Sequence, residues 1–225
     1  MRKLFDIKKT QLEMVKDRGY NLSSDEEEIL KMDFSKFETY YRELGEKKKV
    51  LNRTLLNRFY DMKKGDDIVK RLLVFYGSKT EQQQKQIPAN VVREFVKLIQ
   101  DYGVTEAVLI VDLNLSSTGE GILSKITSVR WQIFNDKELE FNPTKHIDVP
   151  KHELLSPEEQ RNKLLSLRTT ISNLTLINVN DPVIKYYNWA TGGIVKIYRN
   201  DQEIGILSEK SITYRVIIGS NSQKL

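Results

Sequence analysis

Both histidines of the 225-residue chain fall in one heptapeptide, "HIDVPKH", at His146 and His152. Imidazoles near carboxylates (here Asp148 and Glu153) are the groups that bind a transition metal or move protons near neutral pH. The spacing argues against a metal. Such a site needs three or four ligands, and the chain has no cysteine and no further histidine. Two histidines six residues apart also lack the i,i+4 relation that lets one helix face present both. They read as hydrogen-bonding residues at a domain junction, with no metal and no cofactor implied. A second pattern, Asp33 with Glu46 and Lys48, has the nominal spacing of a metal-dependent nuclease centre. That chemistry needs the second element on a central strand, so that carboxylates and lysine converge on an ion. "GEKKKV" (45–50) instead reads as an exposed turn. "TGGIVK" lacks the glycine spacing of a phosphate-cradling loop, and no G-x-S-x-G element is present. So poor a catalytic inventory points to a binding or structural protein.

The elements that must position these residues are legible in part. Leu4, Ile7, Leu12 and Val15 follow helical spacing, with Gly19 as a stop. Ser24 is expected to cap a helix rich in acids. Residues 33–44 predict another helix, ended by Gly45. The stretch 46–67 suits a helix or a broken strand pair, and strands are favoured. "RLLVFYG" (71–77), "EAVLIVDLN" (106–114) and "VRWQIFND" (129–136) read as strands. "IPANVVREFVKLIQDYG" (87–103) is the clearest helix, with Val92, Phe95, Val96 and Ile99 on one face. "SSTGEGILSKI" reads as a loop running into a short helix. Strands alternating with helices in this order predict an α/β layer domain.

A boundary is expected near 141–145, giving domains 1–143 and 144–225. In the second, Ser156, Pro157 and Glu159 form a capping box. "NDPVIKYYNW" reads as a turn and one helical turn, and "GGIVKIYRN" and "ITYRVIIG" as strands of a small sheet. The overall class is α/β (α+β): a mixed-sheet N-terminal domain with flanking helices, then a small C-terminal α/β domain.

Composition limits the partners. Basic residues exceed acidic ones by 25 to 23 in residues 1–143 and by 11 to 8 in 144–225, for a net charge of +5. That thin, even excess permits contact with nucleic acid without the concentrated stripe of a dedicated binder. No apolar run is long enough to span a membrane or to serve as a signal peptide.

The ordered set "HIDVPKHELLSPEEQRNKLL", "NDPVIKYYNW", "GGIVKIYRN" and "ITYRVII" resembles the C-terminal assembly domain of the fifth-largest subunit shared by eukaryotic nuclear RNA polymerases. The archaeal counterpart of that subunit consists essentially of this domain. "LEMVKDRGYNLSSDEEE" (12–28) resembles the start of the eukaryotic form, which adds a jaw domain. The resemblance implies a non-catalytic subunit. Its C-terminal domain would dock on the largest polymerase subunit and its N-terminal domain would form part of the lower jaw beside downstream double-stranded DNA. The matching positions are His146, Val149, Pro150, Lys151, His152, Asp181, Pro182, Tyr187, Gly193, Val195, Lys196, Ile197, Arg199, Tyr214 and Arg215, and they are the candidate partner interface.

Pro150 is expected to hold an extended approach to the helix, Asp181–Pro182 to start a turn, and Lys196 and Arg199 to project from an edge strand. In the jaw, Ser116, Ser117, Thr118 and Lys125 are candidates for sequence-independent contact with downstream DNA phosphates. The chain departs from the family in "ATGG", which lacks a basic pair, in "TISNLTLINV", which lacks a leucine–proline, and in the longer "NDQEIGILSEKS". Its Asn, Ile and Lys richness suits an AT-rich genome, such as a large DNA virus or a divergent protist. The expected place of work is therefore the nucleus, a viral factory or the virion. The competing readings are a freestanding transcription regulator that carries the assembly domain, and the nuclease of Asp33, Glu46 and Lys48. No membrane and no small-molecule substrate is expected.

Overall fold

The computed structural model of the chain describes residues 1–49, 52–65, 67–78, 85–199 and 211–219. The fold is of the α+β class, in two compact units, Met1–Phe141 and Asn142–Leu225, each with its own four-stranded sheet.

The first unit opens with helices α1 (Arg2–Asp17), α2 (Ser24–Lys31) and α3 (Phe34–Lys48). Strands β1 (Arg58–Lys64) and β2 (Asp67–Tyr76) form an antiparallel hairpin; β3 (Glu106–Val111) and β4 (Arg130–Asn135) then add in parallel, in the order β1-β2-β3-β4. The parallel joins are made through α4 (Ala89–Asp101) and α5 (Ser117–Leu123), and the short α6 (Asp136–Leu139) follows β4. All six residues of β3 are buried, and after Glu106 the strand reads as an unbroken apolar run because an inner parallel strand is covered on both faces. On one face Leu73, Phe75, Ala107 and Leu109 pack with Val92, Phe95 and Ile99 of α4 and Leu123 of α5. On the other, α1 meets the sheet through polar groups as well. The Tyr76 hydroxyl donates to Gln11 Oε1 at 3.1 Å, and Arg18 donates to Gln132 of β4 at 2.9 Å.

Several expectations shift. The acidic helix is capped by Ser23, not Ser24. Both serines have a glutamate three residues on, so the local pattern allows either frame. Glu26 decides it: its carboxylate takes the Ser23 N–H (3.3 Å) and hydroxyl (3.1 Å) and also the Tyr60 hydroxyl (2.7 Å) from β1. The helix expected to end at Gly45 runs to Lys48. Gly45 is buried within it, and the left-handed cap is taken by Lys49 at φ 54°. In the stretch read as strands, the chain completes α3, makes a 3-10 turn over Arg53–Leu56 and only then enters β1. The segment "SSTGEGILSKI" (116–126) holds no loop before the helix. Ser116 is itself the N-cap of α5, its hydroxyl accepting from the Gly119 N–H at 3.2 Å.

The second unit has the sheet order β5-β7-β8-β6, from β5 (Lys151–Leu154), β6 (Thr175–Asn178), β7 (Ile194–Arg199) and β8 (Ser211–Ile218). Only β6–β8 is parallel. Helix α7 (Pro157–Ser166) carries the expected capping box of Ser156 and Glu159, and α8 (Pro182–Tyr187), expected as one helical turn, runs to six residues. Because side chains alternate along a strand, the register sorts the sheet into two faces. Val195, Ile197, Ile217 and Ile177 share one face and pack with Ile184 of α8. The other face carries Lys151 and Glu153 of β5, Lys196 and Tyr198 of β7, and Ile212 and Tyr214 of β8.

Candidate interaction surfaces

The two histidines are held by their own chain. His146 Nδ1 accepts from the Asp148 N–H at 3.3 Å, and His152 Nδ1 lies 2.7 Å from the Pro150 carbonyl oxygen. Among the described residues, no group of three or more His, Cys, Asp or Glu side chains is placed to hold a metal ion. The nuclease pattern does not assemble. Asp33 is the N-cap of α3, accepting from the Lys36 N–H at 2.9 Å, while Glu46 and Lys48 are exposed in the last turn of the same helix. One straight helix keeps them roughly 20 Å apart at ~1.5 Å per residue. Among the described residues, no helix is long and apolar enough to cross a membrane.

The expected interface residues separate into three groups. The first is local architecture. Pro150 precedes an edge strand rather than a helix; at an edge its missing N–H leaves no sheet bond unmade. Asp181 caps α8, accepting from the N–H groups of Val183 (3.0 Å) and Ile184 (3.4 Å), with Pro182 at the first helical position. Tyr187 stacks on Trp189 with centroids 4.6 Å apart and planes 8° apart. Gly193 sits where a Cβ would come within 2.9 Å of Leu154 Cδ1 and 3.2 Å of the Ala190 carbonyl oxygen. The second group, His152, Arg199 and Arg215, lies on the sheet face that packs on α8.

The third group forms a surface. Lys151, Lys196 and Tyr214 share the opposite face of the sheet, and β7 is an inner strand, not the expected edge. The short "KHEL" segment takes the edge instead, as β5. Three residues outside the expected interface complete this surface: Glu153, which the sequence offered only as a carboxylate beside the histidines, Lys163 and Tyr198. The ammonium groups of Lys196 and Lys151 lie over the Tyr198 ring, 4.6 and 5.3 Å from its centroid, and Lys163 of α7 lies 4.6 Å from that of Tyr214. The Tyr198 hydroxyl donates to Glu153 Oε2 at 2.6 Å. Its hydrogen bond with Tyr198 holds the Lys196 ammonium above the usual lysine range, with Glu153 acting in the same sense. Glu159 is held below the usual carboxylate range by its bonds to Ser156. A shallow hollow of about 290 Å³ opens between α7 and this face, lined by Leu155, Glu159, Lys163, Ser166, Lys196 and Tyr214. The only sequence signal for the three added residues was a tyrosine at alternate strand positions; which rows meet is set by register.

In the first unit, Ser117, Thr118 and Lys125 are exposed. The serines and Thr118 stand at the N-terminal end of α5 and Lys125 just beyond its C-terminal end, in a turn tied down by the Trp131 indole N–H donating to the Ile126 carbonyl at 3.2 Å. Ser117 also lines a crevice of about 410 Å³ with Glu120, Asn114, Asn135 and Glu138, at the carboxyl ends of β3 and β4.

The segment 1–98 matches the family model described as RNA polymerase Rpb5, N-terminal domain, and the segment 141–217 matches RNA polymerase Rpb5, C-terminal domain. Relatives align end to end. The DNA-directed RNA polymerases I, II, and III subunit rpabc1 of Dictyostelium discoideum is 29% identical over 219 residues, covering 96% of this chain and 98% of the relative. The RPABC1 subunit of Caenorhabditis elegans is 27% identical over 217 residues, with 96% of each chain covered. Subunit 5B of RNA polymerases IV and V of Arabidopsis thaliana is 24% identical over 216 residues, 96% of this chain and 89% of the relative. With both domain models matched in order and relatives of nearly equal length on either side of them, the chain belongs to the Rpb5 family of RNA polymerase subunits.

Proposed function

We propose that this protein is a non-catalytic subunit of a multisubunit DNA-directed RNA polymerase. The observation that carries the reading is the match of both Rpb5 domains, in order, across a chain as long as its polymerase-subunit relatives. In this reading the unit Asn142–Leu225 is the assembly domain and docks on the largest polymerase subunit. Its surface supports that role: α7 buries none of its residues, and Ile147 and Leu165 are 95% and 73% exposed. A helix that covers none of its own surface leaves a face that a partner can cover. The unit Met1–Phe141 is the jaw domain, which flanks downstream DNA. Ser117, Thr118 and Lys125 are its exposed candidates for phosphate contact, without sequence preference. Ser117 shares its crevice with Glu120 and Glu138, which repel phosphate and leave Lys125 as the main charge. The site of work follows that of the host polymerase: the nucleus for a cellular enzyme, the viral factory or virion for a viral one.

Purification from the source at high salt tests the core reading. Recovery in fixed ratio with the two largest polymerase subunits is expected; recovery alone, or with substoichiometric factors, would favour a freestanding regulator. The jaw contact has its own test. In the assembled polymerase, Lys125→Ala should weaken retention of downstream duplex modestly and reduce the slope of log affinity against log salt by about one. An unchanged slope rejects a phosphate contact by Lys125.

A further inference from the structure

The face of the second sheet that carries α7 presents three lysines in an unusual state. Lys151, Lys163 and Lys196 each hold the ammonium over a tyrosine ring, and among the described residues none of them is in an ion pair. Their two acidic neighbours are already engaged: Glu153 accepts from the Tyr198 hydroxyl at 2.6 Å, and Glu159 accepts from the Ser156 N–H at 2.7 Å. The rings restrict the positions of the ammonium groups without neutralising them, so these cations lose little rotamer freedom when an anion arrives. Lys163 and Lys196 both line the hollow of about 290 Å³, which also offers the apolar Leu155 and the polar Asn162 and Ser166.

We infer that this face receives an acidic polypeptide segment of a partner polymerase subunit, whose Asp or Glu carboxylates pair with Lys163 and Lys196 inside the hollow and with Lys151 at its rim. The inference rests on the reading of this unit as the docking module and adds to it the face used and the chemistry of the partner. Charge complementarity selects the occupant. Glu153 and Glu159 interrupt the lysines, so a continuous phosphate backbone would meet repulsion at every step, whereas discrete carboxylates can be placed against the cations alone. The tyrosine faces are covered by ammonium groups, which closes the stacking platform that single-stranded nucleic acid would use.

The test uses polymerase purified with the full chain in place. A zero-length carbodiimide reagent joins a lysine amine to a carboxylate only when the two touch. Mass spectrometry is expected to find Lys163 or Lys196 joined to an Asp or Glu of another subunit. An intact complex with cross-links at other lysines of this chain, but none between subunits from Lys151, Lys163 or Lys196, overturns the inference and leaves polymerase membership standing. Failure of the chain to purify with polymerase overturns both. Ultraviolet cross-linking of Tyr198 or Tyr214 to nucleic acid in the same complex would instead assign the face to nucleic acid. The double variant Lys163→Glu, Lys196→Glu should enter polymerase about tenfold less than wild type, and Lys163→Arg, Lys196→Arg about as well. Equal incorporation of the charge-reversed chain, folded to the same thermal midpoint, also overturns the inference.

Discussion

Lys8 and Glu26 form an ion pair at 3.5 Å, with side chains 2% and 7% exposed. Around it, Lys8 donates to Gln11 (2.8 Å) and to the Tyr60 hydroxyl (3.2 Å), and Tyr60 donates to Glu26. The network ties α1, α2 and β1 together. Burial brings the Lys8 ammonium down to a pKa of about 8, against the opposing attraction of Glu26.

That depressed value sets a pH dependence. Between pH 8 and 10 the unfolded chain keeps a proton on Lys8 that the folded chain has begun to release. Stability should therefore rise with pH across that window by this group's contribution. Above pH 10 the trend reverses, because Tyr60 and Tyr76 are raised by burial and hold protons that unfolded tyrosines lose. Urea unfolding of wild type and Lys8→Met measured across pH 7–10 should show the rise only in wild type. A parallel pair of curves would rule Lys8 out as the source.

The same pair predicts non-additivity. Lys8→Met leaves a buried carboxylate facing no cation, at a cost of roughly 3 kcal/mol, and adding Glu26→Gln should recover a good part of it. Chemical denaturation of the two singles and the double measures the coupling; additive losses would mean that the charges do not interact.

Arg53 grips Asp136 with both terminal nitrogens, at 2.9 and 2.6 Å, and lies 3.9 Å from Asp112. The two aspartates follow β3 and β4, so these ion pairs pin the 3-10 turn to the carboxyl ends of the parallel strands. Arg53→Ala should cost about 2 kcal/mol, and Arg53→Lys, which cannot reproduce the fork, should recover less than half. Full recovery by lysine would show that only charge matters there.

Asp181 is a cap that also falls in a family motif, and the two roles separate cleanly. Asp181→Ala should lower stability by about 1 kcal/mol, while Asp181→Asn, an equally good cap, should change it by only a few tenths. If Asp181 acts only as a cap, the asparagine variant assembles into polymerase normally; a loss of assembly with stability kept would place its charge in the interface.

Gly193 is required for space. Gly193→Ala should destabilise by about 1–2 kcal/mol, since the new methyl meets Leu154 and the Ala190 carbonyl. Adding Leu154→Ala should relieve part of this in thermal unfolding, because one of the two contacts is the flexible end of an exposed side chain.

Much of this molecule was legible from short-range pattern. The α4 helix with Val92, Phe95 and Ile99 inward, the buried strand at 106–111 and the Ser156–Glu159 capping box are local features, written in spacing and in backbone chemistry that extends three or four residues. The family motifs after residue 146 were legible for the same reason: they are contiguous. What the sequence could not determine is whatever depends on which segments meet. Ser23 rather than Ser24 caps α2 because Glu26 must reach Tyr60, 34 residues away. Residues 200–210 of the longer segment "NDQEIGILSEKS" lie outside the described residues. Lys196 sits on an inner strand because the polar segment "KHEL" pairs outside it, 45 residues earlier in the chain. Lys163, Lys196, Tyr198 and Tyr214 become one surface only through the register of β7 on β8 and the packing of α7. Strand register is a tertiary choice: shifting it by one residue turns every side chain to the other face, and no local spacing records which alignment buries more.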